Sequence, residues 1–433
     1  DYMCCLHQLK IEYSTDGGNT YNLIDDNVNP ASGSYNWTIP NTSTKKAIVK
    51  LTDYNNSTVK DTSDNTFRIK NIILLSPNGS ENFQVLRTYP IKWNSGGIDN
   101  IKIDYSTNNG TNWFNIGTIS ADSNKFNWNI TLSYPTSNNY TIRVSDVDDN
   151  TIFDVSDNKF NVKYLKLNAP QGGFAVMYDS LVSIQWAASA NIQNVKLQYR
   201  ISDVDPWNNI SGSPANVGIY NSWKAPLTAS SFYKVRVVDS VSNYVYDSTD
   251  TYLKVANITL NTNLSGVSVQ VGKALSLSWN NTNNISNVKI ELSTNNGSSW
   301  STLVTNYPTG ATSGSYNFVV PNTPTTQAVI RISDQNNANI YTKSAVFTIN
   351  YLAITKPITN ESWKVSTSQQ ITWVSNNISN VNIYLSTNSG TSWLLIANNV
   401  VSNNGNNTYN WIVGNYASNN CLIKITDAVD ENK

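Results

Sequence analysis

The chain has 433 residues, enough for several domains, with only 13% charged side chains against 39% hydrophobic ones. Its 29 basic and 29 acidic groups cancel and form no basic block, which excludes an electrostatic nucleic-acid binder. Three cysteines exclude a disulfide scaffold, and no apolar run reaches the roughly 18 residues of a helical membrane span. The 24 Tyr and 13 Trp are spread along the chain, so it can build cores and is not disordered.

The first element is YSTDGGNTY, Tyr13 to Tyr21. Its Ser14–Tyr21 stretch resembles the Asp-box of sialidases and other glycoside-active propeller enzymes. The same element returns as YSTNNGTNW at Tyr105, YRISDVDPW at Tyr199, LSTNNGSSW at Leu292 and LSTNSGTSW at Leu385, at spacings of 92, 94, 93 and 93 residues. Ser14 and Asp16 can bond backbone groups inside a tight turn, and Gly18 can take positive φ. Asn108, Asn295 and Asn388 later replace the aspartate. Asparagine keeps the turn chemistry and cannot act as acid or ionised base, so the element reads as a hairpin and not a catalytic site.

Other landmarks keep the same beat. IKW, IQW, LSW and ITW end at Trp93, Trp186, Trp279 and Trp373, and VKLTD, IRVSD, VRVVD, IRISD and IKITD end at Asp53, Asp146, Asp239, Asp334 and Asp427. In IKIDYS, Ile101, Ile103 and Tyr105 share one face, while Lys102 and Asp104 share the other. Such period-two patterning, rich in β-branched and aromatic residues, reads as half-buried strands. No segment carries a helical stripe. A repeat of about 93 residues with roughly seven short strands suits an immunoglobulin-like sandwich. A propeller would show its pattern at about half that period. The expected fold is therefore all-β: tandem immunoglobulin-like β-sandwich domains in a linear rod.

The expected units are 1–70, 71–163, 164–256, 257–350 and 351–433. FRIK at Phe67 runs almost directly into IILLSPNG, as does FNVK into YLKLNAP, so no flexible linker is expected. Five units in line, each about 35–40 Å long, make a rod on the order of 180 Å. Residues 1–70 lack the strands that open a repeat, and 351–433 lacks the closing one. Two explanations stand side by side: a window on a longer chain, or end units completed by a strand from a neighbouring copy.

Trp93, Trp186, Trp279 and Trp373 alternate with aliphatic residues and read as core anchors. Trp113, Trp207, Trp300 and Trp393 end hairpins and are the candidate contact aromatics, toward a glycan, a cell surface or another copy of the chain. Lys50, Arg143, Arg236, Arg331 and Lys424 precede each recurring aspartate by three residues. If their strand neighbours the hairpin-leading one, they face Glu12, Asp104, Gln198, Glu291 and Tyr384, giving three exposed charged pairs. The recurring aspartates read as turn caps. Asp146, Asp148 and Asp149 in DVDDN are the candidate metal ligands, for calcium, although no twelve-residue calcium loop is present. SDVD at Ser202 is a second oxygen-rich loop. His7 has no partner histidine, and adjacent Cys4 and Cys5 do not suit tetrahedral zinc. Cys421 takes the position held by Ala47, Tyr140, Tyr233 and Ala328 and is expected in the core. No catalytic residue and no cofactor is expected. The N-x-S/T triplets, at Asn55, Asn129, Asn257 and Asn284 among others, permit glycosylation without showing it.

The stretch Ile371 to Trp393, followed by YNWIV and CLIKITD, resembles the Ser/Thr-rich, cell-wall-associated KNH-like family of extracellular modules. The resemblance spans about residues 9–430 as repeats and rests on Trp373, Ser386, Gly390, Trp393, Trp411, Asp427 and their counterparts. The third unit departs most, since YRISDVDPW loses the glycine. The resemblance implies a place outside the cell and a structural or adhesive role, with no catalytic residues. Composition and repeat together favour a self-associating rod in a filament, sheath or surface layer. An adhesin stalk or carbohydrate-binding array is the alternative, and an accessory region of a glycoside hydrolase stands third.

Overall fold

The computed structural model describes residues 8–211 and 214–431. The readings of Cys4, Cys5 and His7 lie outside the described residues. Strands and tight turns make up the described chain, with only short 3-10 turns such as Pro30–Ser32 and Ala121–Ser123 beside them. The first strands are β1 (Leu9–Ser14), β2 (Asn22–Val28), β3 (Thr44–Asp53), β4 (Lys60–Thr62) and β5 (Phe67–Ile69). They form one sheet in the order β2-β1-β3-β4, with β5 also on β3.

The next stretch carries β6 (Asn71–Ser76), β7 (Asn82–Gln84), β8 (Arg87–Gly96), β9 (Asn100–Ser106) and β10 (Phe114–Ser120). It continues with β11 (Lys125–Ile130), β12 (Ser137–Asp146), β13 (Phe153–Val155) and β14 (Phe160–Lys163). They make two sheets, β11-β8-β6 and β10-β9-β12-β14-β7, with β13 paired to β12. All pairings are antiparallel except β14 with β7. That is an immunoglobulin-like sandwich. Nine strands replace the expected seven because β7 and β13 are three-residue strands too short to show alternation.

The core follows the alternation. Trp93, Ile101, Ile103, Trp128, Tyr140, Ile142, Val144 and Phe160 are buried between the sheets. The Trp93 indole N–H donates to the Ala121 carbonyl at 3.2 Å, which satisfies its one polar atom. The Tyr140 hydroxyl donates to the Pro135 carbonyl five residues upstream, and Tyr233 repeats the bond to Thr228 at 2.9 Å. Trp186, Trp279 and Trp373 are buried in the same way. The third stretch repeats both sheets, a three-stranded one through Leu181–Ala188 and a six-stranded one through Ser230–Asp239. In the fourth, the closing strand does not stop. Phe347–Lys356 pairs first with Thr325–Asp334 and then, further along, with Ser368–Asn376 of the last stretch.

Cys421 is exposed, against the sequence expectation. Ala47, Tyr140, Tyr233 and Ala328 are each covered by a strand that pairs at Phe67, Phe160, Leu253 and Phe347 respectively. No described strand lies opposite Cys421, so its thiol meets the main-chain carbonyls of Ser418 at 3.5 Å and Tyr416 at 3.9 Å.

The recurring hairpin turn is built on its serine. The Ser293 hydroxyl oxygen accepts from the Asn295 and Gly297 amides, at 3.3 and 2.8 Å, and its proton goes to Asn295 Oδ1. Ser14, Ser106 and Ser386 make the same three bonds. Gly297, at φ +87°, takes the left-handed conformation the turn needs. Ser293→Ala should strand two amide donors under a buried position and cost the fourth unit about 1–3 kcal/mol. The expected readout is faster hydrogen exchange across 295–300 and a lower urea midpoint, with no change in overall strand content.

Candidate functional site

Three places in this frame gather polar chemistry: the acidic loops, the outer face of the larger sheet, and the junctions between successive sandwiches. The acidic loops are occupied by their own backbone. Asp146 Oδ1 accepts from the Asp148 amide at 3.1 Å, while its other oxygen is paired with Lys70. Asp149 accepts from the Thr151 amide and hydroxyl at 3.0 and 2.6 Å, and these two bonds hold its carboxyl below the usual range. Among the described residues no group of three or more His, Cys, Asp or Glu is placed to hold a metal, so the expected calcium set of Asp146, Asp148 and Asp149 is not assembled. At SDVD, Asp203 pairs with Arg200 and Asp205 accepts from the Ser202 hydroxyl. Asp16 is likewise a turn acceptor, depressed by the Thr20 hydroxyl and amide and by Ser14.

On the outer face the hairpin-leading strand lies beside the aspartate-ending one in every unit. Glu12 faces Lys50, Asp104 faces Arg143, Gln198 faces Arg236, Glu291 faces Arg331 and Tyr384 faces Lys424. The three expected ion pairs form, at 2.7 Å for Lys50–Glu12, 2.9 Å for Arg143–Asp104 and 2.5 Å for Arg331–Glu291. They are not exposed as the alternation implied. Asp104 and Glu291 are buried, each held by the facing arginine and by a second cation two residues earlier. Lys102 reaches Asp104 at 3.1 Å and Lys289 reaches Glu291 at 2.6 Å. Burial raises the Asp104 carboxyl, but Arg143, Asn115 and Lys102 outweigh it and leave the group below its ordinary value. Glu12 and Glu291 balance the same way toward a lowered pKa.

The hairpin tryptophans are the lids of these pairs. The Arg143 guanidinium stands 4.6 Å from the centre of Trp113, Arg331 4.3 Å from Trp300, and Lys424 4.9 Å from Trp393. Trp207 has two guanidinium neighbours, Arg236 at 4.2 Å and Arg200 at 4.9 Å. Trp113, Trp207 and Trp300 are half-buried, and Trp393 is exposed. These rings rest on cations, which is a stabilising cation–π geometry.

The junctions hold contacts that sequence reasoning missed. Asp239 Oδ1 caps its own turn through the Val241 amide, while Oδ2 is held at 2.5 Å by Lys163, from the end of the preceding closing strand. Asp146 does the same with Lys70, and Asp334 with Lys254 at 2.6 Å. The Lys163 and Asp239 side chains keep only 6% and 1% exposure, so this is a buried ion pair. A second contact recurs alongside. Asn191, Asn284 and Asn377 donate their amides to the carbonyls of Val162, Val255 and Ile349, at 3.1, 3.0 and 2.8 Å. Where Asn191 would stand one repeat earlier is Gly97, and a Cβ there would come 2.2 Å from the Ile69 oxygen. Gln84 ties the second and third sandwiches further, donating to the Leu165 carbonyl and accepting from the Tyr246 amide. The signal for the ionic contact was a lysine in or just after three closing strands, Lys70, Lys163 and Lys254, with a partner 76 to 80 residues away.

A cavity of about 570 Å³ lies over the single sheet of the first stretch against Leu9, Ile11, Val28 and Leu51. It sits between an apolar sheet face and the 29–35 loop, with Asp53, Lys60 and Asp61 also in its lining.

Two outcomes are expected. Lys163→Met leaves Asp239 buried without its cation and should cost the third unit about 3–5 kcal/mol, measured by urea unfolding; Lys163→Met with Asp239→Asn, which removes the charge and keeps the turn bond from the Val241 amide, should recover part of it. The lowered carboxyls of Glu12, Asp104 and Glu291 stabilise the fold fully above their unfolded values near pH 4, and that contribution is lost as pH falls through their lower folded values. Glu291→Gln should therefore lower the melting temperature at neutral pH, and the gap from the unaltered chain should close in scans carried below about pH 3.

No family model matches this chain, and no curated protein matches it. The solved structures it resembles are tandem-domain chains. The I67–I69 fragment of titin aligns over 65% of this chain and 98% of its own, at 13% identity and a TM-score of 0.24. The D1–D4 ectodomain fragment of ICAM-5 aligns over 83% and 98%, at 10% identity and 0.22. Fibronectin(III)-like modules of CbhA from Clostridium thermocellum align over 43% and 92%, at 14% and 0.20. The strand pairing of the units after the first, which is a single sheet, gives two facing sheets each and establishes tandem immunoglobulin-like sandwiches.

Proposed function

We propose that this chain is a stiff extracellular rod with a structural role, associating with copies of itself in a filament, sheath or surface layer. The observation that carries the reading is the repeated junction contact. One residue separates β5 from β6 and β14 from the strand Leu165–Ala169, and at the fourth junction a single strand serves both sandwiches. A hinge needs free backbone and solvated groups; these junctions instead bury Lys163 and Asp239 and engage main-chain carbonyls. The outer-face carboxylates are held ionised by neighbouring cations, and the turn carboxylates are bound by backbone amides, which supports a role without catalysis. The neutral, weakly charged surface opposes self-association little. The resemblance to the KNH-like extracellular modules supports the location. Among the described residues no helix is long and apolar enough to cross a membrane.

Small-angle scattering and negative-stain microscopy of the purified chain test both halves. A maximum dimension on the order of 180 Å is expected for five sandwiches in line, with assembly on raising the concentration. A maximum dimension near half that value would overturn the rod. Monodisperse monomers at every concentration and calcium level would overturn self-association while leaving the rod intact.

A further inference from the structure

The third sandwich lacks the carboxylate that the first, second and fourth units carry on the outer face. Where Glu12, Asp104 and Glu291 neutralise their facing cations, it has Gln198, whose amide oxygen accepts from Arg236 at 2.9 Å. Where the other four units have the turn serines Ser14, Ser106, Ser293 and Ser386, it has Arg200. The residue facing that position is Ile48, Thr141, Val329 or Leu422 elsewhere, and here it is Lys234. Arg200 and Lys234 are thus a like-charge pair directly opposite each other in a sheet, an arrangement that destabilises it. Asp203 pairs with Arg200 from a half-exposed position, one carboxylate among these cations.

The cations alternate with rings in a continuous line. Arg200 and Arg236 flank Trp207 at 4.9 and 4.2 Å, and Arg236 and Arg87 flank Tyr246 at 5.7 and 4.6 Å. Arg87 belongs to the second sandwich, so the line crosses the junction. Lys234 lies on the same strand face as Arg236, about 7 Å along it, and 5.1 Å from the Tyr252 ring. Burial, with Arg200 nearby, pulls the Arg236 pKa below its ordinary value against an opposite effect of Tyr246, as expected of a cation without a full counter-charge.

We infer that this strip, Arg200, Lys234, Arg236 and Arg87 with Trp207 and Tyr246, is a binding site for an anionic polysaccharide bearing sulfate or carboxylate groups. Guanidiniums bind such oxyanions through paired N–H donors. A line of cations spaced along a flat sheet fits a polymer with repeating charge better than a single ion, and the half-buried Trp207 and Tyr246 rings hold the guanidiniums in that line. The ligand anions would relieve the Arg200–Lys234 opposition. The site does not depend on whether the rod self-assembles.

The test is biolayer interferometry with the full 433-residue chain against immobilised dextran sulfate, polygalacturonate and neutral dextran, at low and high salt. Binding to at least one of the two polyanions is expected, weakened about tenfold or more by salt and by the pair Lys234→Gln with Arg236→Gln, while Arg331→Gln in the neutralised fourth unit leaves it unchanged. Lys234→Gln alone removes the like-charge opposition, so it should keep or raise the melting temperature while weakening binding about threefold, which separates loss of site from loss of fold. Four results would overturn the inference: no polyanion binding at low salt; equal binding of neutral dextran; tighter binding of polyglutamate or single-stranded oligo-dT than of either glycan; or equal loss in Arg331→Gln.

Discussion

The structure depends on one carboxylate used twice. At the end of β12, and of its counterparts Ser230–Asp239 and Thr325–Asp334, the aspartate gives one oxygen to its own turn and the other to a lysine of the preceding sandwich. The turn bond fixes the carboxylate within its sandwich. The lysine leaves the last strand of the neighbour with little freedom, so the ion pair constrains the direction in which one sandwich follows the next. A buried ion pair contributes little net stability against an apolar replacement, yet breaking one side is costly. Such a contact suits specifying a geometry better than adding strength. The fourth junction reaches a related end by other means. Asn350 there is buried with neither side-chain polar atom bonded, and the strand Phe347–Lys356 runs through both sandwiches.

The period and the inward face were legible in the sequence because each is local. Alternation marks Ile101 and Ile103, and a tryptophan between aliphatic neighbours has few places to go except the core. The cross-strand pairs were legible too, since their spacing repeats in every unit. Burial of the paired carboxylates was not. It comes from Lys102 on one strand and Arg143 on its neighbour both reaching Asp104, with Trp113 of the turn against Arg143, which period two cannot express. Cys421 misled for a related reason, because alternation says which face a residue points to and not whether a further strand covers it. The junction lysines can be seen in the sequence, but their partners lie a whole sandwich further on, so no local pattern joins the two.

These facts divide each sandwich into surfaces under different constraint. The inward face must fill a core, and the ends must receive the neighbour's lysine and asparagine. The outer face of the larger sheet carries neither obligation beyond keeping its charges compensated. In the first, second and fourth units one carboxylate is shared between two cations, and an aromatic ring lies against the facing one.

The third unit keeps the obligatory surfaces and alters the free one. Trp186 and Tyr233 are buried, Asp239 holds Lys163, and Asn191 reaches the Val162 carbonyl, so its fold and its seat in the row match its neighbours. Its departures concentrate on Gln198, Arg200 and Lys234, which share one strand pair and one face. Random drift on a solvent-facing sheet has no reason to spare the core and the junctions yet place two cations opposite each other, an arrangement that weakens the sheet. A uniform stiff row with one chemically distinct face separates two tasks in a single chain, holding distance through its junctions and making contact at a chosen position along it.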